Sequence, residues 1–394
     1  MYACEVLFAE HIQIDRNLCF YYASDEETGS DFGMKALLDK GLIQPKDEAI
    51  VPDGGSADGS FVEIAEKFAQ DEQLGSVRHD CNLNVYINSD KNTGTKPVVM
   101  IDAHSDEVSF VIQAIKPNGT LRFLPLGGWS DYTVPAHKVK VQTYDGRWVS
   151  GIVASTPVHF LSAGQRGCPT IPDMVIDIGA TSKEEVEKVF NIHIGAPVVP
   201  DVTFEYNEET DVMLGKAFDN RLGCAAVLET MKELKNYDLD VDTVGVLSSQ
   251  EEIGERGAFV TRDVVKPNIA ICFEGCPADD TFTPDYFIQT AIKKGPMLRH
   301  FDRCMVTNPR FQRFSLELGR ELGIPVQESV RSGGGTNGGP IHTSNGGVPV
   351  IVIGVPVRYI HSHHGFACVA DYKNSIKLAV EIIKRLNDEQ IKKF

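Results

Sequence analysis

An apolar stretch that stops at two neighbouring carboxylates is the feature that most constrains the fold. The stretch runs from Thr243 to Ala258, reads TVGVLSSQEEIGERGA, and contains Glu251 and Glu252. An apolar run bounded by serine and glycine is typical of a buried strand in a covered sheet. Because ligands in open α/β sheets bind at the carboxyl ends of strands, we expect both glutamates at the rim of a site. A solvent-exposed, acid-rich turn is the alternative interpretation.

The two glutamates are expected to divide the work between them. Neighbouring residues that leave a strand point in different directions, so Glu251 and Glu252 cannot easily share one task. One of them suits a metal ligand and the other a proton carrier.

A second apolar run also ends in polar residues. Residues 96–103, KPVVMIDA, indicate a buried parallel strand, and the residues that follow are His104, Ser105, Asp106 and Glu107. Polar chemistry is therefore predicted at the carboxyl ends of two strands, where a shared site would lie.

Helical and strand-like segments alternate over most of the chain, which predicts an α/β fold with a mixed central sheet covered by helices. Residues 1–33 are predicted to be irregular or to form an edge segment. Further strands are predicted near residues 270–273, 326–330 and 348–354. Helices are predicted at residues 59–73, 182–191, 218–235, 309–323 and 371–387.

The pattern changes to alternating segments between about residues 112 and 204. Turn signals at 117–119 (PNG) and 144–147 (YDGR) indicate hairpins of an antiparallel sheet, folded as a small barrel or sandwich. We therefore predict a small β-rich domain inserted into an α/β domain. The predicted limits are 1–112 for the first part of the α/β domain, 113–204 for the inserted β-rich domain and 205–394 for the second part of the α/β domain.

The charge balance excludes several classes of partner. The chain has 55 acidic residues against 38 lysines and arginines, a formal net charge of -17. Such a surface repels phosphate backbones and anionic membranes, so nucleic acid and membrane partners are not expected. The start, MYACEVLFAEHIQ, does not read as a secretory signal, and the longest apolar run, 348–357, is too short to cross a bilayer. Nine cysteines without a CxxC pair indicate reduced thiols in a cytoplasmic protein.

Six acids and histidines follow predicted strands or open a predicted helix. They are His104, Asp219, Glu251, Glu252, Glu274 and His361. Imidazoles with carboxylates are the ligand set of a borderline divalent metal such as zinc, and a shared carboxylate can hold two ions about 3.5–4 Å apart. The residues alone leave other roles open, namely a capped strand end for position 104, a helix N-cap for 219 and a rim carboxylate for 274.

Five ordered segments carry a resemblance to a known family. They are AHSDEVSF (103–110), AFDNRLG (217–223), QEEIGERGA (250–258), SGGGTNGGPIH (332–342) and RYIHS (358–362). In order and spacing these segments resemble the M42 family of dinuclear metallo-aminopeptidases, the glutamyl aminopeptidase and tetrahedral aminopeptidase group. The resemblance extends from about residue 34 to the C-terminus.

The resemblance implies a zinc-peptidase-like catalytic domain with two divalent ions, which would be zinc, with cobalt or manganese possible. It implies these ligands: Asp219 as the bridge, Glu252 and His361 for one ion, His104 and Glu274 for the other. Glu251 would be the general base, and Asp106 would orient the His104 ring. Peptide substrates, hydrolysis from the free N-terminus, and homo-oligomers from dimer to dodecamer are also implied. The resemblance further implies that 1–112 and 205–394 form the catalytic domain and that 113–204 is an assembly domain.

Three departures from the family pattern affect the predicted site. Glu274 and Asn337 stand where the family usually has aspartate, and His363 and His364 crowd His361. We interpret His363 and His364 as solvent-facing or as lying outside the ring of metal ligands.

The sequence allows two functional hypotheses besides a metal-dependent aminopeptidase. A related dinuclear carboxypeptidase or deacylase needs a cation for the substrate carboxylate, and Arg221, Arg256 and Arg358 lie close to the motifs. The second hypothesis is a non-catalytic assembly protein on the same fold, in which Asn337 and Glu274 reflect lost metal affinity. A glycosidase is disfavoured, because adjacent glutamates are poorly placed to flank one glycosidic bond.

Overall fold

The computed structural model of the chain describes residues 60–162, Gly167 and residues 169–394. The prediction for residues 1–33 lies outside the described residues. In chain order the strands are β1 (Ser76–His79), β2 (Val85–Asn88), β3 (Val98–His104), β4 (Ser109–Ile115), β5 (Leu121–Leu126), β6 (Lys138–Gln142), β7 (Trp148–Ala154), β8 (Val175–Asp177), β9 (Pro197–Pro200), β10 (Glu205–Asn207), β11 (Val212–Gly215), β12 (Asp242–Ser248), β13 (Ile269–Pro277), β14 (Met297–Phe301), β15 (Gln327–Val330), β16 (Val350–Arg358) and β17 (Gly365–Cys368).

The helices agree with most of the sequence-based expectations. They are α1 (Ser60–Asp71), α2 (Lys183–Lys188), α3 (Phe218–Leu234), α4 (Arg256–Val265), α5 (Pro309–Glu321), α6 (Gly338–His342), α7 (Val369–Ile383) and α8 (Asp388–Ile391). The Ser182 side chain caps α2 and the Asn308 side chain caps α5. Within the described residues, no helix combines the length and the apolar content that a membrane crossing requires.

A large mixed sheet forms the centre of the fold. Its main strand order is β1-β2-β12-β3-β13-β16-β17-β11-β10, and β14 pairs with both β15 and β16. The strands β12, β3, β13 and β16 are parallel neighbours. Nearly all of their residues are buried, which is why the sequence reads there as continuous apolar runs. The predicted α/β fold with a mixed central sheet is confirmed.

Strand register brings the carboxyl ends of the parallel strands to one edge of the sheet. Ser248 of β12 pairs with His104 of β3, and Cys272 of β13 pairs with Asp102 of β3. Two residues beyond Cys272, Glu274 stands level with His104. The polar residues predicted at two strand ends therefore share one edge with a third strand.

Helices cover both faces of this sheet. On one face α1, α3, α5 and α7 share an apolar cluster that includes Phe68, Leu228 and Phe311. On the other face Ala258 of α4 and Ile341 of α6 pack against the sheet. Burial on both faces keeps water away from everything except the strand ends, where the polar residues lie.

The six strands β4 to β9 form a closed barrel in the order β4-β5-β8-β7-β6-β9. Phe110, Phe123 and Val139 are among the side chains that fill its interior. The sequence pattern allowed either a barrel or a sandwich, and pairing of β4 with β9 closes the barrel. All barrel strands lie between Ser109 and Pro200. The domain limits given above stay a prediction.

Candidate metal centre

Histidine and carboxylate side chains converge at the sheet edge where β3 and β13 meet the start of α3. The Nε2 atom of His104, at the end of β3, lies 3.1 Å from Asp219 Oδ1. The same nitrogen lies 3.2 Å from Glu274 Oε1 of β13 and 3.7 Å from Glu251 Oε2. His104 is 1% exposed, so this group is enclosed by the fold.

A second histidine lies next to the other carboxylate oxygen of the same aspartate. His361 Nε2 lies 3.5 Å from Asp219 Oδ2 and 3.5 Å from Glu252 Oε2. Asp219 therefore stands between His104 and His361 and directs one carboxylate oxygen towards each.

Asp106 connects the end of β3 to the loop that follows β12. Its carboxylate lies 3.5 Å from His104 Nδ1 and accepts hydrogen bonds from the backbone N–H groups of Glu251 (2.9 Å) and Glu252 (3.1 Å). Burial acts to raise the pKa of Asp106, but these contacts outweigh it and hold the pKa below its usual range. The backbone carbonyl oxygen of Asp106 lies closer still to His104 Nδ1, at 3.1 Å. Asp106 thus positions the His104 ring through both oxygens and the two adjacent glutamates through its carboxylate.

Glycine at position 275 permits the approach of Asp219 to the sheet. A Cβ added to Gly275 would lie 2.6 Å from Asp219 Cα and 2.8 Å from the carbonyl oxygen of Phe218. The N-cap of α3 is Ala217, and Asp219 and Asn220 have non-helical dihedral angles. The expectation of a capping role for Asp219 is therefore wrong, because the side chain turns to the histidines instead.

The acids of this cluster are held in an environment that disfavours their negative charge. Burial, together with repulsion between neighbouring acids, raises the pKa of Glu251 and Glu252 well above the usual range and that of Glu274 to about 8. Burial acts to lower the pKa of His104, but the charges of Glu251 and Glu274 raise it. In addition, Glu252 Oε1 is buried and accepts no hydrogen bond from the described residues. Such a cluster is one that a cation would stabilise.

The donor atoms fit divalent ions. Two groups have ligand atoms that all lie within 4.8 Å of one another, and these are His104 with Glu251 and Glu274, and His104 with Asp219 and Glu252. His361 falls outside both groups although it contacts Asp219 and Glu252. Imidazole nitrogen with carboxylate oxygen suits zinc and similar borderline ions. All seven residues singled out from the sequence therefore lie together, while their separate roles stay a prediction.

The barrel contributes to this site through two adjacent glycines that the sequence analysis did not single out. The carbonyl oxygen of Gly128 lies 2.8 Å from His361 Nδ1, and a Cβ on Gly128 would come within 3.0 Å of that nitrogen. A Cβ on Gly127 would lie 3.3 Å from Glu252 Oε2. The glycine pair before Trp129 was the available signal, because close approach of another chain segment is a common reason for glycine.

The two histidines beside His361 differ from each other in burial. Of the two alternatives interpreted from the sequence, His364 is solvent-facing, whereas His363 is 1% exposed and leaves only the position outside the ring of metal ligands. The ring of His363 stacks on His137 with the centroids 3.9 Å apart. Burial, followed by the influence of His137 and His364, lowers the pKa of His363 to about 3. The ring is therefore neutral at physiological pH.

Asn337 lies next to the candidate metal ligands but is not one of them. Its Nδ2 donates to Asp102 Oδ2 at 2.7 Å, two residues before His104 in β3. Burial raises the pKa of Asp102 to about 6, and the hydrogen bonds from Ser248 and Asn337 counteract part of that rise. The amide at 337 thus supplies a donor that an aspartate would lack when ionised.

We expect Gly275→Ala to lower the free energy of unfolding by about 1–3 kcal/mol, because the added methyl group meets backbone atoms that cannot rotate away. Urea denaturation measures this change. Gly333→Ala is the matched control, since a Cβ at Gly333 meets nothing within 4 Å. Equal stability of the two variants would contradict the account given for Gly275.

Comparison with known proteins places the chain in a family. The family model described as M42 glutamyl aminopeptidase matches residues 83–378. The glutamyl aminopeptidase of Lactococcus lactis subsp. cremoris (strain MG1363) is 31% identical over 310 residues, which cover 78% of this chain and 86% of that protein. The sequence-based resemblance is therefore confirmed by an independent match over most of the chain.

Solved structures agree with this result. The TET aminopeptidase from the marine sediment archaeon Thaumarchaeota archaeon SCGC AB-539-E09 is 34% identical, with a TM-score of 0.82, covering 86% of this chain and 95% of that chain. The Pyrococcus horikoshii TET1 peptidase, whose structure is described as able to assemble into a tetrahedron or a large octahedral shell, is 24% identical. Its TM-score of 0.76, over 86% of this chain and 97% of that chain, shows a shared fold. The chain belongs to the M42 glutamyl aminopeptidase family of peptidases.

Proposed function

We propose that this member of the M42 family removes N-terminal residues from peptides in a reaction that depends on two divalent ions. The observation that carries the proposal is the position of Asp219, whose two oxygens lie 3.1 Å and 3.5 Å from the Nε2 atoms of His104 and His361. Each histidine also has its own glutamate, Glu274 at 3.2 Å and Glu252 at 3.5 Å. A carboxylate shared between two such pairs suits the bridging ligand of a two-ion site.

The proposed ligands are Asp219 as the bridge, His361 with Glu252 for one ion, and His104 with Glu274 for the other. We propose zinc as the native ion, with cobalt and manganese as alternatives, because nitrogen and oxygen donors of this kind accept all three. Glu274 stands where the family usually has aspartate, and its oxygen still reaches within 3.2 Å of His104. The longer side chain is therefore compatible with a ligand role.

Glu251 and Asp106 have the proposed catalytic and positioning roles. When bound, the ions would lower the pKa of a water molecule towards neutrality and polarise the scissile carbonyl. Glu251, whose Oε2 lies 3.7 Å from His104 Nε2, would accept a proton from the attacking water and deliver it to the leaving amine nitrogen. Its raised pKa suits a group that must both take up and release a proton. Asp106 would keep the His104 ring in place through Nδ1.

Glu251→Gln should lower kcat by about 10²–10⁴-fold, because the amide cannot accept the proton. The number of bound ions should stay at the wild-type value, as measured by elemental analysis. Glu317→Gln, on the exposed side of α5, is the control and should change neither quantity. Full turnover in Glu251→Gln would show that Glu251 is not the general base. Loss of an ion would make it a ligand, as its grouping with His104 and Glu274 permits.

His361→Ala should reduce the bound zinc from about two ions to about one per chain, because one ion then keeps only Asp219 and Glu252. Elemental analysis after equilibration with zinc measures the ratio. His300→Ala, a half-exposed histidine paired with Glu328, serves as the control. Fewer than about one ion on the wild-type chain would favour a non-catalytic assembly protein instead.

The choice between the two ends of a peptide tests the substrate class. Arg358 is held by Asp280 at 2.6 Å and 2.9 Å, and Arg221 is buried, so two of the three arginines considered for a substrate carboxylate are poorly placed to bind one. We expect N-acetylation of the peptide to slow hydrolysis by about 10²-fold or more. The acetyl group removes the free amine, which leaves the buried groups that bind it without a partner. Amidation of the C-terminus should change the rate little. The reverse result would identify a carboxypeptidase.

A homo-oligomer in the cytoplasm is part of the same proposal. Support for assembly comes from the shared fold with the TET1 peptidase and from large exposed apolar side chains on the barrel, such as Tyr144 and Ile194. Support for a reducing compartment comes from the free cysteines among the described residues, which are Cys81, Cys224, Cys272, Cys276, Cys304 and Cys368. Light scattering of the purified protein would give the number of subunits, for which we propose a value from dimer to dodecamer.

A further inference from the structure

An open groove begins at His361 and runs between the barrel loop 128–133 and the loop 359–364. The groove has a volume of about 650 Å³. His361 also borders a second space of only about 20 Å³, which is enclosed and lined by Asp219 and Glu252. The open groove is therefore continuous with the metal-binding residues through a side chain that lines both spaces.

The lining of the groove is rich in rings. Among the described residues that line it there is no Asp, Glu, Lys or Arg. Its rings belong to one tryptophan, two tyrosines and four histidines, which are Trp129, Tyr132, Tyr359, His137, His361, His363 and His364. His361 is already paired with Asp219 and Glu252. Aromatic and apolar groups gain about 25 cal/mol per Å² of apolar surface removed from water, whereas a charged side chain would lose hydration and meet no carboxylate, lysine or arginine there. The lining thus favours large aromatic or apolar side chains.

His363 forms a buried part of the groove wall. It is 1% exposed, and its ring stacks on His137 with the centroids 3.9 Å apart. Both ring nitrogens are closed off from solvent. The His363 ring therefore gives the groove a rigid wall and not a hydrogen-bonding atom.

We propose that the groove binds the leaving-group side of the peptide and selects a large aromatic or apolar side chain at the second residue. This inference rests on the proposed aminopeptidase function, in which only one residue lies on the amine side of the scissile bond. The small space beside Asp219 and Glu252 has room for the positively charged amine group, whereas the open groove has room for the chain that leaves.

A peptide series that varies only the second residue tests the selection. The peptides share one first residue and an amidated C-terminus, and carry Phe, Leu, Ala, Glu or Lys at position two. We expect kcat/KM for Phe to exceed that for Ala by about tenfold, with Glu and Lys at or below Ala. Equal values across the series would overturn the proposal.

Two variants and a control identify the groove as the origin of the preference. Tyr132→Ala should reduce the preference for Phe over Ala by about threefold or more. Tyr359→Ala removes a second ring that lines the groove and should change the preference in the same direction. Tyr286→Ala is the matched control, because Tyr286 is as exposed as Tyr132 (89% against 81%) but does not line the groove. An unchanged preference in Tyr132→Ala would overturn the proposal even where Tyr359→Ala fails to fold.

Trp129 provides a readout that does not require turnover. The chain has two tryptophans, so Trp148→Phe leaves Trp129, which lines the groove, as the single emitter. In the metal-loaded protein, a peptide with a reduced first bond and Phe at position two should change Trp129 emission more than its Ala analogue does. Binding without cleavage would overturn the proposed function and keep the groove assignment. Cleavage with neither a second-residue preference nor an emission change would overturn the groove assignment alone.

Discussion

Close packing of one helix start on one strand determines where the central carboxylate lies. The backbone of Phe218 and Asp219 rests against Gly275 of β13 at a distance that leaves no room for a side chain. Asn220 secures the contact by donating from Nδ2 to the carbonyl oxygen of Phe273 at 2.9 Å. With its backbone held in this way, Asp219 can direct one oxygen to each of two histidines that lie far apart in the sequence. The rest of the site is arranged around that position.

The electrostatics of the site follow from the same packing. Parallel strands buried on both faces leave little water near Glu251, Glu252 and Glu274, and burial raises the pKa of all three. Asp106 differs from them because two backbone N–H groups and the His104 ring contact its carboxylate, and its pKa is lowered. The ionised Asp106 carboxylate thus lies beside three glutamates whose negative charge a bound cation would stabilise.

The barrel takes part in the site as well as forming a separate core. Trp129 stacks on Phe110 of the barrel at 4.7 Å and donates from Nε1 to the carbonyl oxygen of Ser109 at 3.1 Å. These contacts hold the preceding glycine, Gly128, next to His361. The same loop forms one wall of the groove that leads away from the candidate metal ligands. Any movement of the barrel relative to the sheet would therefore change the contact between Gly128 and His361, a proposed metal ligand.

The sequence by itself was sufficient to predict those strands and helices whose residues show an apolar run or a helical spacing. Continuous apolar runs predicted β3 and β12, helical spacing predicted α1, α3 and α7, and a known family pattern was sufficient to single out the seven site residues. These features depend on neighbours along the chain or on motifs that survive in order. Tertiary structure alone decided that the barrel closes, that Gly128 contacts His361, that Asn337 bonds Asp102, and that His363 is buried. Barrel closure pairs Phe110 with Val198, and the other contacts join residues more than two hundred positions apart or depend on how two loops pack. No periodicity in the chain encodes such distances.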